Sequence, residues 1–123
     1  MARTEFVNFV YSADQTQPVE IQQSGVYLEP GQEVVLDYNV PEDGLIFNII
    51  IQIPSGVNGT TLFRLILNSK QIFPSQGYFT GNGTVLQIPV YINVKAGDKL
   101  QLDVINRGSN PHWVSVQVGI IFS

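Results

Sequence analysis

A chain of 123 residues, 44% hydrophobic and 13% charged, has the size of one domain and the composition of a globular protein rather than a disordered one. It contains no cysteine, which excludes a disulfide framework and any thiolate metal site. A formal net charge of −4 argues against a general nucleic-acid binder.

The first segment, Met1 to Phe6, carries Arg3 and Glu5 where a signal peptide would hold an unbroken apolar core. No stretch approaches the roughly eighteen apolar residues of a membrane span. The expectation is a chain with no membrane partner, which stays where it is translated unless an assembly carries it out. Thr4 to Tyr11 is an aromatic-rich strand candidate, with Phe6, Asn8 and Val10 on one side and Val7, Phe9 and Tyr11 on the other. Neither side is polar, so residues 1–16 are expected to be a docking segment, dispensable for the fold, in front of a single domain over 17–123. Phe6, Phe9 and Tyr11 are its docking candidates.

Pro18 to Gln22 reads as a weak strand, and Gly25 to Leu28 as a short one. Glu29-Pro30-Gly31-Gln32 has the residue types of a type II turn, since Gly31 tolerates positive φ. Glu33 to Asn39 alternates through Val34, Leu36 and Tyr38, and Pro41-Glu42-Asp43-Gly44 turns the chain again. Leu45 to Ile53 is the most apolar strand. Its alternation places Leu45, Phe47, Ile49, Ile51 and Ile53 inward and leaves Ile46 and Ile50 on the opposite face. Thr61, Phe63, Leu65 and Leu67 form the next inward row, Asn68-Ser69-Lys70 turns into Gln71 to Phe73, and 74–82 is the longest irregular stretch.

The remainder is the most regular part of the chain. Leu86, Ile88, Val90, Ile92 and Val94 share one face, then Leu100, Leu102 and Val104, then Val114, Val116, Val118, Ile120 and Phe122. About eight strands, frequent Gly and Pro turns and no helical period imply an all-β antiparallel sandwich or barrel, with the strand number favouring a jelly roll. A weak echo links 31–37 with 97–103, either as repeated turn-plus-strand units or by chance. Charge is uneven too. Residues 1–62 hold eight acids against Arg3, and 63–123 hold five bases against Asp98 and Asp103. This polarity either orients an assembly or is cancelled on folding.

Several motifs resemble those of C1q/TNF-like jelly rolls. Pro41 to Phe47 is similar to that family's turn and Gly-x-Tyr/Phe-x-Phe strand, and Leu65 to Lys70 to its strand ending in an Asn-Gly-type turn. Gly97 to Leu102 resembles its Gly-Asp-x-hydrophobic-x-hydrophobic strand, and Val114 to Phe122 falls where its closing strand does. The likeness spans about 41–122. Compact, cysteine-free members of this fold resemble the trimeric decoration and fibre-knob proteins of tailed-phage virions. The resemblance implies a non-enzymatic virion protein: a capsid decoration (cement) subunit that forms a homotrimer and docks on the major capsid protein or another virion protein. The alternative is a receptor- or carbohydrate-binding knob that takes a host-surface glycan.

Catalytic chemistry has little to stand on. His112 lies beside Trp113 without a cysteine or a Gly-x-Ser-x-Gly elbow, and reads as a surface or interface residue. Asp98 and Asp103 are five apart on a strand, hence on opposite faces, and Asp98 is expected to accept bonds from its own turn. Glu42 and Asp43 could join a calcium site or simply be a solvated turn. Asn58-Gly59-Thr60 and Asn82-Gly83-Thr84 fit the glycosylation pattern but read as Asn-Gly turns. Neither a cofactor nor a metal is expected. What remains is an apolar excess on faces that a monomer would give to water. Ile46, Ile50, Trp113, Ser115, Gln117, Gly119 and Ile121 are therefore the expected oligomer interface, and Tyr78, Phe79 and His112 the candidate adhesion residues.

Overall fold

A computed structural model describes residues 2–22 and 25–123, without the side chains of residues 20 and 21; Met1, in the expected docking segment, lies outside it. The strands are β1 (Arg3–Asn8), β2 (Tyr11–Ser12), β3 (Val26–Leu28), β4 (Glu33–Asn39), β5 (Gly44–Ile53), β6 (Thr61–Leu67), β7 (Lys70–Phe73), β8 (Thr84–Val94), β9 (Lys99–Asn106) and β10 (His112–Phe122). One sheet runs β2-β3-β10-β5-β8, with β1 also paired to β10, and the other runs β4-β9-β6-β7. Every pairing is antiparallel except the short β2–β3 pair. The two sheets form the jelly-roll β-sandwich that the alternation implies.

The core lies between them. Ile49, Ile51, Ile53, Val116, Val118, Ile120 and Phe122 from the first sheet meet Phe63, Leu65, Leu100, Leu102 and Val104 from the second, all of them at or below 1% exposure. Burial of such side chains stabilises the fold by about 1.5–3 kcal/mol each. Gly31 (φ 79°) makes the turn that its residue type implies, and Asn58 and Gly59 (φ 53° and 75°) form a hairpin-type turn. The echoing segments are neighbours: β4 pairs with β9 from Glu33↔Ile105 to Asn39↔Lys99. That pairing brings acids of the first half to bases of the second, as in Lys99–Asp37, so the two halves do not keep separate fields.

Three expectations are corrected. Val19–Gln22 is a single helical turn rather than a strand, closed by the Gln22 N–H donating to the Pro18 carbonyl at 3.0 Å. Proline at the start of a helical turn loses no hydrogen bond, which favours this over pairing in a sheet. Ile46 is 1% exposed and belongs to the core. The register of β5 slips between Ile46 and Asn48 against both neighbours, and Phe47 is an extra residue relative to β10. Such a bulge reverses the alternation, so Ile46 turns inward while Leu45 and Phe47 face out, half-buried. Finally, Phe9 is 4% exposed and packed in the core, which removes it from the docking candidates.

Two other stretches of the N-terminal segment, Arg3–Asn8 and Tyr11–Ser12, are strands. Six residues of β1 pair with β10 from Arg3↔Phe122 to Asn8↔Gln117, and Arg3 lies 4.7 Å over the Phe122 ring while bonding Glu42. A docking role for residues 1–16 can rest only on side chains that still face solvent, chiefly Phe6 (50% exposed) and half-buried Tyr11.

Candidate functional site

The outer face of the six-stranded sheet can be read row by row from its registers. Tyr27 lies beside Trp113; Ser115 beside Gln52 and Val85; Asn8 beside Gln117, Ile50 and Gln87; Phe6 beside Gly119, Asn48 and Pro89; and Thr4 beside Ile121, Leu45 and Asn93. Those rows contain no charged side chain. Arg3 and Glu5, the charged residues of β1, alternate to the other side. Several of the apolar groups are well exposed: Tyr91 at 79%, Val85 at 73%, Phe6 at 50% and Ile121 at 37%.

Two concavities occupy opposite ends of this face. One, of about 520 Å³, is lined by Leu45, Tyr91, Asn93 and Ile121, with Asp43 and Lys95 on its rim. The other, of about 450 Å³, is walled by Trp113 and Val85 and carries Gln52, Ser55 and Ser115. Tyr27 backs Trp113, with ring centroids 4.7 Å apart and a tilt of 41°. The loop before β10 is fixed by buried Asn106, whose Nδ2 donates to the Leu28 and Asn110 carbonyls while its Oδ1 accepts from the Gly108 N–H. This pins the start of β10, and with it Trp113, against β3. Burial raises the Tyr27 pKa above its ordinary value, and the carboxylates of Glu29 and Asp14 add to the rise.

Of the expected interface residues, Ile50, Trp113, Ser115, Gln117, Gly119 and Ile121 all lie on this face, and only Ile46 does not. Gly119, however, offers no room to a second molecule. A Cβ there would collide with Asn48 Oδ1 and come within 2.9 Å of the Phe47 ring, so the space is already filled from within. The adhesion candidates are not brought together. Phe79 forms an aromatic triad with Phe63 and Phe73, and Tyr78 lies 5.0 Å from the Arg64 guanidinium on the other sheet. His112, half-buried at the start of β10, pairs with Leu28 on the inward side of that strand. Asp98 accepts from the Lys95 N–H of its own turn at 2.8 Å and from Asn68 Nδ2 at 3.0 Å; the Asn68 bond and then the turn bond lower its pKa. Asp43 accepts from the Ala96 N–H, and Glu42 from Arg3. Asn82 Oδ1 accepts from the N–H groups of Gly56 and Asn58, tying two loops together.

The second sheet's outer face contrasts with the first. It carries Glu33, Asp37, Arg64, Gln71, Gln101 and Asp103, a group the sequence did not single out as a cluster. Asp103 is 2% exposed. Its Oδ2 accepts from Arg64 Nε at 3.0 Å, and its Oδ1 has no donor among the charged forms of the described residues. The Glu33 carboxyl shares a hydrogen bond with Asp103, and this, reinforced by repulsion from the same carboxylate, raises the Glu33 pKa. A protonated Glu33 can donate to the Asp103 carboxyl, where two charged carboxylates would repel. A carboxyl whose folded pKa is raised contributes stability that is present below its unfolded pKa and lost as pH rises through the folded one. Glu33→Gln, which donates at every pH, is expected to match the parent in acid and to be the more stable of the two at neutral pH. Thermal melts between about pH 4 and 8 check this, and parallel curves would contradict it. The cluster was not legible as such because its members are brought together only by the pairing of three strands.

Among the described residues no group of three or more His, Cys, Asp or Glu side chains is placed to hold a metal ion, and no helix is long and apolar enough to cross a membrane.

No protein-family model and no curated protein matches the chain. Solved structures similar to it include a dimeric latent PorU from Porphyromonas gingivalis, at 12% identity and a TM-score of 0.48. A family 35 carbohydrate binding module from Clostridium thermocellum is similar at 18% identity and a TM-score of 0.44, and the infectious bursal disease virus Gx strain at 10% and 0.49. Each likeness covers 99% of this chain, but only 13% of the PorU chain and 32% of the viral one, against 92% of the binding module. At these identities, and with every TM-score below 0.5, the likenesses carry no argument about what this chain does.

Proposed function

We propose that the chain is a non-enzymatic virion structural protein, a decoration subunit that self-associates as a trimer and docks on a capsid lattice. The observation that carries this is the uncharged outer face of the six-stranded sheet, set against the charged face of the other sheet. Depletion of charge with retention of aromatic and aliphatic groups distinguishes the centre of a protein interface from ordinary surface. Leu45, Tyr91 and Ile121 line the concavity at one end, and Phe6 packs edge-on against Phe47 beside them, with centroids 5.9 Å apart at 69°. Each such side chain contributes about 1.5–3 kcal/mol if fully buried between copies, less the entropy of association. The number three comes from the resemblance to C1q/TNF-like jelly rolls, since dimers are commoner among homo-oligomers.

Ile121→Asp is expected to reduce the assembly to single chains, because it would bury an unpaired carboxylate in the contact. Light scattering coupled to size exclusion measures this. A parent that runs as a single chain at micromolar concentration rules self-association out, and a two-copy mass rules out the trimer. Cosedimentation with emptied capsids tests the docking role.

A second reading, a carbohydrate-binding knob, is favoured by the cleft at Trp113, where an aromatic wall stands over uncommitted polar side chains. Binding to glycans with no affinity for capsids would put this reading in place of the first.

A further inference from the structure

We infer that the cleft at Trp113 binds a neutral saccharide and rejects anionic sugars. This rests on the second reading above and adds the class of ligand. Three features of the cleft carry it. First, its wall is aromatic and held in place: Tyr27 packs behind Trp113, and Asn106 fixes the loop that leads into β10. A rigid indole offers the flat apolar surface on which the C–H face of a pyranose ring rests. Second, its polar groups are unspent. Among the described residues the side chains of Gln52, Ser55 and Ser115 and the indole N–H of Trp113 make no hydrogen bond within the protein. Together they offer amide and hydroxyl donors and acceptors, the complement that a ring of hydroxyl groups needs. The volume of about 450 Å³ lies within the usual range for small-ligand sites of about 300–1,000 Å³.

The third feature sets the charge of the ligand. Among the described residues none that lines the cleft is ionisable at neutral pH, so none of them pairs with a carboxylate or sulfate. A uronic or sialic acid placed here would lose water without gaining a cationic partner among these side chains.

Trp113 is the chain's single tryptophan, so its fluorescence reports on the cleft alone. Titration of the full chain with neutral oligosaccharides (cello-, manno- and galacto-oligosaccharides) is expected to shift the emission saturably for at least one of them. Oligogalacturonate and sialyllactose at the same concentrations are expected to leave it unchanged. Calorimetry should then show at least a tenfold loss of affinity in Trp113→Ala and a several-fold loss in Gln52→Ala. Trp113→Phe keeps a ring and is expected to bind weakly, which guards against a misfolded alanine variant. If an acidic sugar binds at Trp113 as tightly as the neutral ones, the ligand class is wrong while the cleft remains a sugar site. If no sugar binds at millimolar concentration, or binding is indifferent to all three substitutions, the carbohydrate-binding reading itself fails.

Discussion

Phe63→Ala is expected to lower the stability of the fold by about 3–5 kcal/mol, the largest loss from any single truncation considered. Phe63 is fully buried and stands where β6, β7 and the 74–82 stretch converge, with ring centroids 6.3 Å from Phe73 and 5.4 Å from Phe79. Removing the ring gives up its transfer energy and leaves a cavity that two β-sheets cannot collapse to fill. It also loosens the irregular segment that Phe79 ties to this part of the core. The Phe63 and Phe79 main chains exchange two hydrogen bonds, of 3.0 and 2.8 Å, and Phe79 carries the neighbouring Tyr78 to Arg64. Urea unfolding measures the loss. Hydrogen exchange should show faster opening of 76–80 in the variant than of β10. A change below about 1 kcal/mol would mean that the aromatic triad is not a keystone of the packing.

Arg64→Met is expected to cost about 2–3 kcal/mol, somewhat less than the roughly 3–5 of a fully buried pair, because the arginine is about one-third exposed. The physical loss is at the other end of the bond. Asp103, with its side chain 3% exposed, loses the Nε donor on Oδ2, and its buried Oδ1 has no hydrogen-bond partner among the described residues to compensate. Tyr78 loses the cation above its ring as well. The double variant Arg64→Met with Asp103→Leu should recover most of the loss, since an apolar pair leaves nothing buried and unsatisfied. If the single variant is as stable as the parent, the bridge contributes no more than an exposed surface pair. If the double variant is no better than the single, the cost lies in lost packing instead.

Strand positions and turn chemistry were legible because both are local. Alternation over two residues marked β4, β6, β8, β9 and β10 to within a residue or two, and Gly31, Gly59 and Gly97 fell where positive φ was needed. The outer face of β10 was legible for the same reason, and with it Trp113 and Ile121. Other assignments depended on what lies across the sheet. Whether Phe6 and Phe9 reach a partner or the core turns on β1 pairing with β10, at the far end of the chain. Nothing within residues 1–16 records that.

The fold class, the absence of disulfide and thiolate chemistry, and the apolar excess on one face of β10 follow from the amino-acid sequence alone. They depend only on composition and on the order of residues along each strand. Tertiary structure alone decided the direction of Ile46, because the bulge at Phe47 reverses the alternation that a sequence can only extrapolate. It alone placed Glu33, Arg64 and Asp103 side by side, since β4, β6 and β9 meet through long-range register. It alone separated Trp113 from Tyr78 and Phe79 by setting them on opposite sheets. Period and turn are short-range properties of a chain, whereas a site is made of side chains that only long-range pairing brings together.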